Sequence, residues 1–218
     1  GNQNPTNSPE PAGTMRLDSI TVGEKGTIDL DSFGALDVNG EILQADKVKL
    51  QAALDVAVAA KDLKLNNVEI IAGKHQTAES EEVKNYGGDV NIAAESIELG
   101  NTGSSVSASA QQNEDGSLSK GNVTINATNA ALKNGATIAA DQNIILNANT
   151  SLDNSGDLSS AKGDVSLNTA EEGNITTSGD VKAEGNVTVK TNSGNIANSG
   201  AIESGKAVVM STVTGDIG

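Results

Sequence analysis

Residues able to do acid–base or metal chemistry are few in this chain and stand far apart. The one histidine, His75, lies near Glu79, Glu81 and Glu82, a group that by letters resembles a metal cluster. A lone imidazole among flexible carboxylates is a poor ligand set, because tight sites hold several ligands on a fixed frame. A solvated acidic loop accounts for the same residues. Asp89, Asp164 and Asp180 each follow a glycine, and Asx-turn chemistry explains such pairs without catalysis. Glycoside hydrolysis takes paired carboxylates, and lyase chemistry takes clustered Asp around Ca²⁺ with a basic proton acceptor. Here the sole Arg, Arg16, stands outside the regular segments and the carboxylates are scattered over turns. Lys162-Gly163-Asp164 matches a KGD-type integrin tripeptide, but Gly-Asp simply recurs along the chain. Five N-x-S/T sequons, at Asn122, Asn126, Asn149, Asn174 and Asn186, follow from a composition rich in Asn, Ser and Thr. No catalytic, cofactor or metal site is expected.

The elements that carry these residues are short and repetitive. Within 218 residues there are 24 Gly but only one Phe (Phe33), one Tyr (Tyr86) and no Trp. Small aliphatic side chains must therefore fill the interior, and the chain must turn every few residues. A net charge of −15 argues against nucleic acid and anionic membranes as partners. The absence of Cys excludes disulfide scaffolds and thiolate metal sites and is compatible with export. No run approaches the roughly 18 apolar residues of a membrane span, so no membrane insertion is expected. Residues 1–14 hold all three prolines, Pro5, Pro9 and Pro11, and read as a disordered lead-in.

From residue 15 onward an apolar-x-apolar pair recurs. The pairs are Ile28/Leu30, Val48/Leu50, Val68/Ile70, Val90/Ile92, Val123/Ile125, Ile144/Leu146, Val165/Leu167, Val187/Val189 and Val208/Met210. All but one of the intervals fall between 20 and 22 residues, and the exception is 33. A period of this length marks a repeat array in which no unit has a core of its own. The alternation inside each pair is that of a strand. Residues 44–65 are Ala-rich, with Leu50 and Leu54 four apart as in a helix, yet Val48, Leu50, Leu54, Val56 and Val58 keep the strand period. We read them as a further coil.

A second register is set by Leu99, Leu132, Leu152, Ile175 and Ile196. Asn101, Asn134, Asn154, Thr177 and Asn198 follow two residues later, then Gly103, Gly135, Gly156, Gly179 and Gly200. A third apolar point, at Val106, Ile138, Leu158, Val181 and Ile202, closes each coil. The expected fold is all-β: a right-handed parallel β-helix of about nine coils of 20–22 residues, with three short strands per coil. At about 4.8 Å per layer it would stand about 40 Å tall. The Asn positions would form an amide ladder between coils, and the glycines would supply positive φ at a corner. In the N-terminal half, Gly40-x-Ile42 matches the third segment, with Val38 where the Asn would be. Two stretches break the pattern: 74–86, which keeps the coil length but lacks apolar points, and 108–120, which accounts for the long interval as a loop leaving the rod. Candidate binding residues on these loops are Lys74, His75, Tyr86, Gln111, Gln112 and Asp115.

The stretches GNVTINATNAALKNGATIAA (121–140) and GNVTVKTNSGNIANSGAIESG (185–205) resemble the repeats of the filamentous haemagglutinin family. These are large exoproteins of bacterial two-partner secretion, among them high-molecular-weight adhesins and contact-dependent inhibition proteins. The resemblance covers roughly residues 15–218 and is closest from 88 onward. It implies a secreted or cell-surface filament used in adhesion or in holding out a toxin tip. Its partner would be a host cell surface or another bacterial cell, through a protein or glycan receptor. It also implies an outer-membrane secretion partner acting on another region, and glycosylation at sequons of the kind some of these adhesins use. The family's NPNG-like secretion signature is not found, and the pattern stops mid-repeat at TGDIG, as expected of an internal fragment. The function expected is therefore a structural shaft with adhesion through the two loops. A polysaccharide-lyase-like enzyme and a pure spacer for a distal tip are the alternatives.

Overall fold

Alternating apolar side chains, most of them β-branched or Leu, send one set of residues inward and the other to solvent. A coil of about 21 residues can bury its inward set only against the coils above and below it. The computed structural model, which describes residues 10–76, 82–101, 103–170 and 173–218, shows that solution. The chain is a β-solenoid whose strands pair in parallel with their counterparts one coil away. No helix is present among the described residues.

Three sheet faces wind around a narrow aliphatic interior. The first face stacks Leu36, Val56, Val90, Val123, Ile144, Val165, Val187 and Val208 in one column. All but the last are no more than 1 % exposed. The second stacks Leu43, Leu63, Ile97, Leu132, Leu152, Ile175 and Ile196. On the third, Ile28, Val48 and Val68 are followed by Val106's column, reached through the pair Ile70–Val106, and then by Ile138, Leu158, Val181 and Ile202. Three long strands, β1 (Thr14–Ser32), β2 (Ala35–Ala52) and β3 (Val56–Leu65), run unbroken around the corners of the N-terminal coils. Further on each face has its own short strand. Residues 44–65 are strand throughout apart from the corners, as their period implies.

The register differs from the sequence expectation in four respects. Ile28, Val48 and Val68 lie on the third face, whereas Val90 and its successors lie on the first. The apparent interval of 22 between Val68 and Val90 joins two different faces. Residues 74–86 do not keep the coil length: Val56 pairs with Val90, 34 residues on, because a whole hairpin is inserted between them. Val38 is an inward residue of the first face, paired with Val58, and Gly40, Leu43 and Ala45 belong to the second face, leaving Ile42 turned outward at 44 % exposure. A slip of one residue in a strand exchanges inside for outside.

The second-face ladder begins one coil later than expected. Asn134 pairs with Leu99, and Leu99 with Leu65, so Asn101 lies beyond the strand, exposed, in a wider corner. Seven residues separate Leu99 from Val106, against four from Asn134 to Ile138. Asn101 instead bonds locally with Ser104, its Oδ1 accepting the hydroxyl at 3.1 Å. Of the five corner glycines, only Gly103 has positive φ, +93°. Gly135, Gly156, Gly179 and Gly200 are demanded by proximity. A Cβ on Gly156 would overlap the carbonyl of Ala136, one on Gly179 that of Gly156, and one on Gly200 that of Gly179, while at Gly135 the neighbour is the carbonyl of Gly100, 2.9 Å away.

Candidate functional site

Side chains other than aliphatic ones are placed by two systems: columns that staple the coils, and a pair of hairpins that leave them. Inside the second face, Asn134 Nδ2 donates to Asn154 Oδ1 at 2.8 Å and Asn154 Nδ2 to Thr177 Oγ1 at 3.3 Å. Each of the three also bonds a carbonyl at its own corner, those of Ala136, Gly156 and Gly179. Asn198 donates to Gly200 O at 2.8 Å, and its Oδ1 is buried without a partner.

Along the corner that opens the first face runs a column of Asp55, Asp89, Asn122, Asn143, Asp164 and Asn186. The backbone N–H of each donates to the side-chain oxygen of the one before it, at 2.6–3.1 Å. Asp180 accepts the N–H of Ala201, and its own N–H goes to Asp157, both at 2.9 Å. The carboxylates of Asp89, Asp164 and Asp180 thus bond the next coil rather than their own turn, each through its Oδ1. A third column, Asn126, Asn147 and Asn168, lies on the outer side of the first face, with amide bonds of 2.7 and 2.9 Å. Sequence reasoning passed over it, although the signal is there: an Asn stands fourth in the first-face strand of three successive coils, at intervals of 21.

The two hairpins leave the rod in successive coils at the same corner, between the third and first faces. The first pairs Lys74–Gln76 with Val83–Asn85, and the second pairs Gln111–Gln112 with Leu118–Ser119. Gly73 and Gly87, at φ of +83° and +77°, turn the chain out and back for the first. Their bases touch, Asn85 Nδ2 donating to Ala110 O at 2.8 Å. Lys120 spans two coils to reach Asp55 Oδ2 at 2.6 Å, and Gln142 Nε2 holds Lys120 O at 2.5 Å.

His75, on the first hairpin, leans back on the rod. Its Nε2 lies 2.7 Å from Asp31 Oδ1, and its ring meets Phe33 edge-on at 5.3 Å. Phe33 in turn meets Tyr86 edge-on at 5.7 Å. The only His, Phe and Tyr of the chain therefore form one cluster. His75 Nδ1 and the Tyr86 hydroxyl are buried within it without partners. Of the remaining loop candidates, Lys74, Gln111, Gln112 and Asp115 are exposed. At the second hairpin's tip Asp115 Oδ1 accepts both the N–H and the hydroxyl of Ser117, at 2.9 and 2.5 Å. These bonds hold its carboxyl below the usual range. Tyr86 and His75 are thus brought together, while Gln111, Gln112 and Asp115 stand beside them on the neighbouring hairpin.

Glu79 and Glu81 lie outside the described residues. Among those described, no three His, Asp or Glu side chains group closely enough to hold a metal ion. Among the described residues a groove of about 400 Å³ lies on the second face, where Lys133 sits between Glu98 and Asp153. No helix of the described residues is long and apolar enough to cross a membrane. No protein-family model, curated protein or solved structure matches the chain. The sequons differ in what holds them: Asn122 and Asn186 have their amide nitrogens bonded within the corner column, whereas Asn174 is exposed.

Proposed function

We propose that this chain is a shaft segment of a large secreted or cell-surface bacterial exoprotein of the filamentous haemagglutinin type, and that it meets a cell-surface receptor through its paired hairpins. The observation that carries this reading is the contrast between the two parts. Along the rod the inward side chains are committed to stacking, while the chain's only aromatic residues and its histidine are gathered where two hairpins leave it at one corner. Extruded loops on a rigid frame are where solenoids place recognition. A rod of repeating coils supports such a corner at a fixed distance from its anchor. A host cell or a second bacterium is the partner envisaged.

Beads coated with the chain, and with a version in which 74–86 and 111–119 are each replaced by a short turn, would be offered to epithelial and bacterial cells. Adherence of the first and not the second, with equal far-UV circular dichroism, is the expected result. Failure of both to adhere would favour a spacer without a receptor. Equal adherence of both would place recognition on the rod.

A further inference from the structure

The outer side of the first face is free of charge for five coils. Its two outward columns read Ala57, Asn91, Thr124, Ile145, Ser166 and Ala59, Ala93, Asn126, Asn147, Asn168. Charged residues bound the strip at its ends, Arg16 and Asp37 on one side and Lys190 on the other. The second face carries charges outward through Lys64, Glu98, Lys133 and Asp153, and the third carries them toward its ends, at Asp29, Lys49 and Glu69 and again at Lys182 and Glu203, with Ser105, Ser107, Thr137, Ala139 and Ser159 between. In a chain of net charge −15, an uncharged strip that carries an amide ladder on its outer side is a distinct surface. Asp55, Asp89 and Asp164 run along one edge, but Asp89 and Asp164 are bonded into the corner column and Asp55 also to Lys120.

We infer that this strip binds a neutral polysaccharide laid along the rod. A primary amide offers two N–H donors and two lone pairs. The ladder through Asn126, Asn147 and Asn168 uses one donor and one acceptor at each link. The rest remain for a ligand, in a row fixed by the coil spacing of about 4.8 Å. Paired donor and acceptor suit the hydroxyls of a sugar, and the Thr124 and Ser166 hydroxyls lie in the adjacent column. An acidic polymer would meet the field of the whole chain and be repelled; a neutral one is not. A second copy of the chain is a poorer occupant. Five coils of five-residue strands give about 400 Å² by strand geometry, about half of what each partner contributes to a standard protein interface. A narrow polymer needs no more.

This inference concerns a different surface from the hairpins, and their replacement leaves the strip untouched. Affinity electrophoresis in gels containing hydroxyethylcellulose, a linear β-1,3-glucan or a galactomannan, with dextran sulfate as the charged control, tests it. Retardation is expected in at least one neutral gel, and it should persist from about 0.05 to 0.5 M salt, since no ion pair is involved. The triple variant N126A/N147A/N168A should bind about tenfold more weakly while keeping its circular dichroism. Should that variant misfold, T124A/S166A on the same strip serves in its place. Retardation in no neutral gel, retardation in dextran sulfate alone, or full binding by the folded variants would overturn the inference. So would a dimer in light scattering that the triple variant abolishes, which would give the strip to a second copy.

Discussion

Asn134 donates its side-chain amide to Asn154 one coil above it, at 2.8 Å and with both residues no more than 1 % exposed. The column containing this pair holds Leu65 and Leu99 in earlier coils, so the same space accepts either an aliphatic stack or an amide stack. Asn154→Ala strands the Gly156 carbonyl and removes one acceptor from Asn134, and it should cost about 1–3 kcal/mol. The triple change Asn134→Leu, Asn154→Leu and Thr177→Val restores an apolar stack but leaves the Ala136, Gly156 and Gly179 carbonyls and the Ala136 N–H without their partners, and should cost more than the single alanine. Thermal or urea unfolding of the two proteins decides the order.

The corner glycines separate two causes that sequence alone merges. Gly103→Ala meets open space and bears only the strain of its positive φ, about 1–2 kcal/mol. Gly156→Ala drives a methyl group into the backbone of Ala136 and should exceed that, at about 3 kcal/mol. Equal unfolding midpoints for the two variants would contradict this account.

Docking of the first hairpin rests on the Phe33, His75 and Tyr86 rings and on the His75–Asp31 contact. Aromatic pairs contribute about 0.5–1.5 kcal/mol each, and a hydrogen bond such as that between His75 and Asp31 about 0.5–1.5 kcal/mol. Phe33→Ala should release the hairpin without unfolding the rod, a local opening of the kind seen in weakly attached segments. Tyr86 is the only Tyr and there is no Trp, so intrinsic emission reports this hairpin alone. Faster proteolysis within 74–86 and changed Tyr86 emission, with an unchanged global midpoint, are expected.

The turn at the second hairpin's tip should respond to acid. The Ser117 bonds depress the Asp115 carboxyl below its ordinary value of 3.8. The group therefore stabilises the turn fully above that value, and the contribution is lost as pH falls through the depressed one. Amide exchange at Ser117 should rise against its intrinsic rate between about pH 5 and pH 2. In Asp115→Asn, whose amide oxygen accepts without titrating, the corrected rate should stay level.

The period of about 21, the strand alternation and the inward column from Val90 onward are legible because each inward residue recurs as the same type in every coil. Face assignment across residues 68–90 is not. The stretch between Val68 and Val90 takes the chain from one face to the next and through a hairpin, and the total happens to equal one coil. Spacing reports chain length and is blind to which corner has been passed. The same blindness placed Asn101 in the ladder, since the corner after Leu99 is three residues wider than its successors. The meeting of Phe33, His75 and Tyr86 was also out of reach, because Phe33 lies 42 residues before His75 and no repeat links them. Asn126, Asn147 and Asn168 were legible in principle, repeating as regularly as the valines.

In the corner column every completed coil holds out a side-chain oxygen, and the next coil supplies the N–H that fills it: Asp89 receives Asn122, Asn122 receives Asn143, and Asp164 receives Asn186. The bonds all run the same way along the rod, so its two ends are chemically unlike. A chain that orders from its N-terminus finds acceptors already in place for each incoming turn. One that starts from the other end presents donors with nothing yet to receive them. The rod carries a built-in direction of assembly, written in which atom of each pair is set first.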